Sequence, residues 1–220
     1  MSDEVLLEGP RIVRQALAAG VHLEVLALRE GDAFAAAADR TVVLSRGLFR
    51  DLSQTQTPQG VLAVGRARLS TPAEAVAAAR AAGWPLVVLD GVQDPGNVGA
   101  IARSAAAAGA PALAVLPGTA DPFGAKAIRA SAGHVFNLVV AEAGWVDLEG
   151  LRCIGASAAG TPIEEADLGS AGALVLGSEA HGLSREVETV ALPMAPRIES
   201  LNVAAAAAIL LYEVRRRISR

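Results

Sequence analysis

The sequence is poor in several residue types, and each scarcity excludes a class of protein. Its 220 residues include one cysteine, Cys153, so no disulfide can form within the chain. His22, His134 and His181 lie far apart, so there is no local set of zinc ligands and we expect no metal. No run approaches the about 20 consecutive apolar residues of a membrane-spanning helix. The sequence therefore predicts neither a disulfide scaffold nor a membrane protein.

Lysine, asparagine and aromatic residues are also scarce. Only Lys126 is lysine among 19 basic residues, which face 23 acidic ones, and aromatic residues make up 3% of the chain. The net charge of −4 excludes a generally basic nucleic-acid coat, so any such contact must come from a local patch. The acidic N-terminal residues 1–4 differ from a basic secretory signal, and we expect a cytoplasmic protein.

What is abundant is apolar: 52% of the residues are hydrophobic, enough to bury a sizeable core. Residues 1–66 alternate between helical and strand patterns and predict a small α/β domain. Thr71, Pro72 and Glu74 form a capping-box signature that begins an alanine-rich linker helix within 67–83. The predicted helices of this half cover 10–19, a stretch near 33, and 45–52, and the predicted strands cover 23–28, 41–44 and 60–64.

Residues 84–220 predict a second α/β domain, because continuous apolar strands separated by helices indicate a parallel sheet with helices on both faces. Ligands of such sheets bind outside the carboxyl ends of the strands. The loops after Asp90, Gly177 and Leu192 are therefore the candidate site. The predicted strands cover 86–90, 112–116, 136–140, 151–156, 173–177 and 190–192, and the predicted helices cover 98–108, 123–132 and 201–218.

The first loop, DGVQDPGNVGAIAR at 90–103, joins a strand to a helix whose first N–H groups are free to bind an anion. Its glycines fit neither the dinucleotide pattern nor the P-loop, which disfavours an NAD-dependent reductase. Arg103 lies on a helix otherwise made of small and apolar residues. Its charge needs an anionic partner, or it reaches water at the helix edge.

The second and third loops carry further polar candidates. LGSEAHGLS at 176–184 lacks the spacing of a nucleophile elbow, and Glu179 could serve a ligand or cap a helix. In LPMAPRIESLNV at 192–203, Ser200 is the expected N-cap of the last helix. Asn202 is a poor helix residue and one of three asparagines, which favours a functional role.

Together the three loops resemble, in order and spacing, the motifs of the SpoU (TrmH) family of RNA 2'-O-ribose methyltransferases. The resemblance covers about residues 84–218 and includes DPFGAKAIRASAG at 121–133. The segment from EGPRIV at 8–13 to TPQGV at 57–61 is similar to the family's substrate domain, but it begins late and lacks the first helix or strand, so we expect altered RNA capture. Ala204 and Pro196 depart from the family's usual Ser and Gly.

The resemblance implies a C-terminal trefoil knot that binds S-adenosylmethionine, and a homodimer whose active site is completed across the interface. It implies transfer of a methyl group to a ribose 2'-hydroxyl in rRNA or tRNA. The alternative is a catalytically silent RNA-binding protein. The implied catalytic residues are Asn97, Arg103, Glu179, Ser200 and Asn202, and the implied cofactor-binding residues are Gly177, Leu192, Met194 and Leu201.

Overall fold

The computed structural model describes residues 4–218 and contains two β-sheets; residues 1–3 of the acidic N-terminal segment and residues 219–220 lie outside the described residues. The helices are α1 (Pro10–Ala18), α2 (Arg46–Leu52), α3 (Pro72–Ala81), α4 (Pro95–Ala108), α5 (Ala125–Ala130) and α6 (Val203–Ile218), with short 3-10 helices at His134–Asn137 and Trp145–Leu148. The strands are β1 (Glu4–Glu8), β2 (His22–Arg29), β3 (Arg40–Leu44), β4 (Val61–Arg66), β5 (Leu86–Asp90), β6 (Ala112–Val115), β7 (Val139–Glu142), β8 (Cys153–Pro162), β9 (Ala173–Gly177) and β10 (Glu188–Ala191).

The first sheet has the strand order β1-β4-β2-β3 and is mixed. Strand β4 pairs antiparallel with β1 and β2, while β2 and β3 are parallel. Phe49 of α2 is buried with Ala27 and Leu62 on one face. On the other face, Val5 and Leu7 share a core with α1 and with residues of the second sheet's layers. The two sheets are therefore joined by a continuous buried cluster.

One expectation for this region is wrong, and another stays a prediction. Strand β1, which pairs with β4 along Glu4–Glu8, lies at the start of the described residues. A missing first family element and altered RNA capture remain predictions. The alanine-rich stretch near Ala33 is not a helix. Phe34, Ala36 and Ala38 alternate with exposed neighbours and pack on the core, which is the period of an extended chain. In the segment that connects β2 to β3, burying every second side chain against the core stabilises an extended chain more than the helix propensity of alanine stabilises a helix.

The capping box that begins α3 is confirmed. The Thr71 side chain accepts a hydrogen bond from Glu74 N at 3.2 Å, and the Glu74 carboxylate accepts from Thr71 N at 2.7 Å. Ala75 and Ala79 are buried against the second sheet, so α3 is one of the layers that cover that sheet.

The second sheet has six strands in the order β10-β8-β9-β5-β6-β7, all paired in parallel. In its centre, Leu86 and Val88 face the α3 side, whereas Val87 and Leu89 face the core that includes α4 and α6. The expected parallel sheet with helices on both faces is confirmed. Strand β7 begins at Val139, later than expected, because His134–Asn137 form a 3-10 turn.

The final helix begins differently from the expectation. Asn202, and not Ser200, caps α6: its Oδ1 accepts hydrogen bonds from Ala204 N at 3.0 Å and Ala205 N at 3.3 Å. A capping side chain is what makes asparagine favourable at a helix start, although it is unfavourable inside the helix. Asn202 therefore has a structural role at the point where the third loop meets α6.

Candidate active site

Three side chains, one from each candidate loop, form a hydrogen-bonded cluster outside the carboxyl end of the second sheet. Asn97 Nδ2 donates to Glu179 Oε1 at 3.1 Å. Asn202 Nδ2 lies 2.8 Å from the same oxygen and 3.1 Å from Asn97 Oδ1. Val203 N also points to Glu179 Oε1, at 3.4 Å. The structure thus brings together three of the five expected catalytic residues and places the carboxylate at the N-terminus of α6, where a negative charge is favourable.

The start of α4 fixes Asn97. Asp94 is the N-cap, and its Oδ1 accepts hydrogen bonds from Gly96 N at 2.6 Å and Asn97 N at 3.1 Å. Lys126 of α5, the only lysine, donates to Asp94 Oδ2 at 2.8 Å. The hydrogen bond from Lys126, followed by that from Asn97 N, lowers the pKa of Asp94. This ion pair connects α5 to the loop that carries Asn97.

Arg103 and Ser200 stand apart from this cluster. Arg103 is exposed on α4 and has no hydrogen-bond or ion-pair partner within residues 4–218. Ser200 is also exposed and makes no hydrogen bond to a described residue, but it lines the neighbouring cleft. The guanidinium of Arg103 is therefore available to an external anion.

The cleft beside the cluster has a volume of about 870 Å³. Gly177, Leu192, Met194 and Leu201, the four expected cofactor-binding residues, all line it. Part of its wall comes from residues 156–160, where β8 leaves its register with β10: Thr189 pairs with Gly155, and the next residue pairs with Thr161. Ala156, Ser157 and Ala158 of this excursion face the cleft.

The loop that carries Glu179 is unusually tight. Ser178 and Gly182 exchange backbone hydrogen bonds of 3.0 and 2.9 Å. A Cβ on Gly177 would lie 2.5 Å from the Gly182 carbonyl carbon, and Gly182 has φ +67°. The two glycines of LGSExxG are thus required by backbone approach and by the left-handed conformation.

A second hydrogen-bonded group at this edge was not expected from the sequence. Asp90 is 3% exposed and accepts from Ser184 N at 2.6 Å and from Ser184 Oγ at 2.8 Å. Trp145 Nε1 donates to the same Ser184 Oγ at 2.8 Å. The available signal was Asp90 itself, because a carboxylate that ends an apolar strand needs partners when it is buried.

Within residues 4–218, no group of three or more His, Cys, Asp or Glu side chains is arranged to hold a metal ion. The same part of the chain contains no helix with the length and hydropathy needed to cross a bilayer.

Comparison with known proteins identifies the family. Residues 85–212 match the model of the SpoU rRNA Methylase family, over a span that contains all three candidate loops. The chain belongs to this family. Residues 2–63 match the MRM3-like substrate binding domain, which corresponds to the first sheet. The family resemblance seen in the loops is therefore confirmed.

Similar proteins include a 23S rRNA (guanosine(2553)-2'-O)-methyltransferase from Bacillus subtilis, 34% identical over 97% of this chain and 89% of its own length. An uncharacterized tRNA/rRNA methyltransferase from Mycobacterium tuberculosis is 37% identical over 60% of this chain, and the match spans 45% of that protein. The chain thus spans about half the length of some of the curated relatives it matches. The crystal structure of an AdoMet-bound rRNA methyltransferase from Sinorhizobium meliloti superposes with a TM-score of 0.82 at 28% identity, covering 98% of this chain and 88% of that one.

Proposed function

We propose that the protein transfers a methyl group from S-adenosylmethionine to the 2'-hydroxyl of a ribose in structured RNA, either rRNA or tRNA. The observation that carries this proposal is the Asn97–Glu179–Asn202 cluster beside the cleft, in a chain of the SpoU rRNA Methylase family. The Bacillus subtilis relative is named for this chemistry on rRNA, and the Sinorhizobium meliloti structure is described as AdoMet-bound.

The cleft suits S-adenosylmethionine by size and chemistry. Its volume of about 870 Å³ lies within the range of small-molecule sites. Leu192, Met194 and Leu201 offer apolar surface, and the tight turn at Gly177 leaves backbone groups at the edge of the cleft. These residues would hold the cofactor, which supplies a methyl group on a positively charged sulfur.

The residues of the chain would chiefly position the reacting groups. Methyl transfer to a hydroxyl is an in-line displacement, so alignment supplies much of the rate enhancement, and the hydroxyl proton would leave to water. Arg103 would bind the phosphate next to the target ribose and stabilise negative charge on the attacking oxygen, because a guanidinium stays protonated. Asn97, Glu179 and Asn202 would hold the three loops in register, and Ser200 would contact the ribose from the cleft wall.

We further propose that the C-terminal part forms the trefoil knot implied by the family resemblance. Strand β10 is at the edge of the sheet, beside β8, yet the next segment returns to Glu179 and α4 before α6 begins. A segment that leaves an edge strand and then hydrogen-bonds through Asn202 to both earlier loops supports a threaded path.

We also propose a homodimer with α6 at or near the interface. Val203, Ala207 and Leu210 of α6 are buried within one chain, whereas Ile209 is 47% and Tyr212 68% exposed on its other side. A partner subunit would cover these apolar groups and, as the family resemblance implies, complete the active site. Sedimentation at low micromolar concentration tests this proposal, and a single species near 22.3 kDa would refute the dimer.

The small domain of residues 1–66 would contribute RNA affinity through exposed arginines. Arg11 and Arg14 lie on α1, where Arg14 stacks 5.1 Å from the ring centre of Phe34. Arg46 and Arg50 lie one turn apart on α2 and line a depression of about 400 Å³. The match to a substrate binding domain supports this assignment.

The test of the proposed function is incubation with labelled S-adenosylmethionine and unmodified rRNA and tRNA pools, followed by mapping of the methylated nucleotide. We expect label on a ribose 2'-oxygen, which makes the adjacent phosphodiester resistant to alkali. The Glu179→Ala variant serves as the comparison and should lose transfer. Label on a base would refute ribose methylation. If the protein binds RNA but transfers no methyl group, or binds RNA but not S-adenosylmethionine, the catalytically silent alternative is favoured.

A further inference from the structure

A guanidinium lies on an aromatic ring beside the cleft, outside the three family motifs. We propose that Arg185 binds a backbone phosphate of the RNA substrate, and that Trp145, Ser184 and the buried Asp90 hold it in position. This inference rests on the proposed RNA methylation and adds an RNA contact from the catalytic domain itself.

The position of Arg185 supports a role in binding. Its side chain lines the cleft and is exposed, and its Cζ lies 5.8 Å from the ring centre of Trp145. No acidic side chain within residues 4–218 forms an ion pair with it, although Glu186 follows it in sequence and lines the same cleft. Its charge is therefore left for an external anion.

The support beneath Arg185 is fixed at two points that converge on Ser184. The backbone of Ser184 donates to Asp90, which holds the residue before Arg185 against the end of β5. The indole of Trp145 donates to Ser184 Oγ, which fixes the ring on which the guanidinium stacks. An exposed arginine normally samples many rotamers, and ordering it costs entropy on binding. Here the backbone and the stacking surface are already placed, which lowers that cost.

The chemistry of the group favours phosphate. A planar guanidinium on an aromatic face keeps its N–H edge free for two parallel hydrogen bonds to phosphate oxygens. Arg185 lies at the exposed edge of the cleft, so the backbone of an RNA whose ribose enters the cleft would pass within reach of its guanidinium. Arg185 has two alternative roles. It could only cover Trp145 and not contact RNA, or it could bind the carboxylate of S-adenosylmethionine.

The experiment uses Arg185→Ala, Arg185→Lys and the control Arg80→Ala. For each variant it measures the affinity for unmodified rRNA as a function of salt, and the affinity for S-adenosylmethionine. Arg80 is an exposed arginine of α3 outside the cleft lining, so its removal changes the net charge equally. We expect Arg185→Ala to bind the substrate RNA about tenfold more weakly. The slope of log affinity against log salt should fall by about one. Cofactor affinity and thermal stability should stay unchanged, and Arg80→Ala should behave like the unmodified chain.

The Lys variant and a Trp145→Leu variant separate the geometric role from charge alone. Arg185→Lys keeps the charge but loses the planar fork, so we expect an intermediate RNA affinity. Trp145→Leu removes the stacking surface. As a single substitution it should weaken RNA binding, but when added to Arg185→Ala it should cause no further loss.

Unchanged RNA affinity and salt dependence in Arg185→Ala would overturn the proposal. Weaker cofactor binding with unchanged RNA affinity would also overturn it and assign Arg185 to the cofactor carboxylate. Because RNA binding is measured without turnover, a failure here is distinguishable from a failure of the proposed function, which would appear as absent methyl transfer by the unmodified chain.

Discussion

The packing of α4 against α5 should tolerate nothing larger than glycine at position 99. A Cβ at Gly99 would lie 2.6 Å from the Cβ of Ala130 and closer still to the carbonyl oxygen of Ala127. The Ala127 carbonyl belongs to the backbone of α5 and cannot move aside as a flexible side chain can. The whole of α5 would therefore have to move away from α4. The prediction is that Gly99→Ala destabilises the protein although alanine is the better helix residue.

The two opposing effects can be compared. Replacing glycine by alanine inside a helix gains about 1 kcal/mol in propensity. Overpacking a close contact costs about 1 to 3 kcal/mol, and a clash with backbone belongs at the upper end. The net loss in the free energy of unfolding should be about 1 to 2 kcal/mol, which corresponds to a decrease in Tm of roughly 2 to 8 °C for a chain of this size.

Chemical denaturation of Gly99→Ala and of the control Gly47→Ala measures this difference. Gly47 also lies in a helix, α2, but an added Cβ meets nothing within 4 Å there, so its replacement should stabilise slightly. Because α5 carries Lys126, which pairs with Asp94, Gly99→Ala should also lower methyl transfer. Equal or greater stability in Gly99→Ala would show that the helices do not pack as described.

Three further predictions concern single side chains. Arg103→Ala should abolish methyl transfer while cofactor affinity stays within a few fold, and near-normal turnover by Arg103→Lys would exclude a planar, bidentate role. Asn202→Ala should cost about 1 kcal/mol of stability in urea denaturation through the lost cap. Asn202→Asp keeps the cap oxygen but sets a second carboxylate where the amide donated to Glu179, so it should lose turnover and also be less stable than the unmodified chain. Hydrogen bonding from Arg216, opposed by burial and aided by Arg217, lowers the pKa of Glu213 to about 2, below its ordinary 4.5. The charged Glu213 therefore stabilises the fold fully above pH 4.5, and this contribution is lost as pH falls toward about 2. In urea denaturation, the free energy of unfolding of the unmodified chain should exceed that of Glu213→Gln by less and less over this pH range. A difference that does not change with pH would contradict the pairing.

Local patterns in the sequence were sufficient for much of the fold and for the site's members. The Thr71 capping box depends on residues three apart, so it could be identified without any tertiary contact. The central strands are buried on both faces and therefore appear as continuous apolar runs. Asn97, Glu179 and Asn202 were expected at the site because parallel strands end at one edge and because their loops resemble family motifs.

The errors lie where a distant partner decides the outcome. Strand β1 is too short to be recognised alone and is stabilised by pairing with β4, nearly sixty residues later. The stretch at 33–38 contains good helix formers, but core contacts favour an extended chain. Asn202 replaces Ser200 as the cap because its amide is also held by Glu179 and Asn97 from other loops.

The sequence by itself determined the composition class, most of the helices and strands, and the family through its motifs, because these depend on residues close together in the chain. Only the tertiary structure decided that three side chains share one hydrogen-bonded cluster and that Arg103 stands outside it. It also decided that Asp90, Ser184 and Trp145 form a support for Arg185. Such contacts join positions up to 105 residues apart, and their hydrogen-bond geometry exists only after the chain has folded.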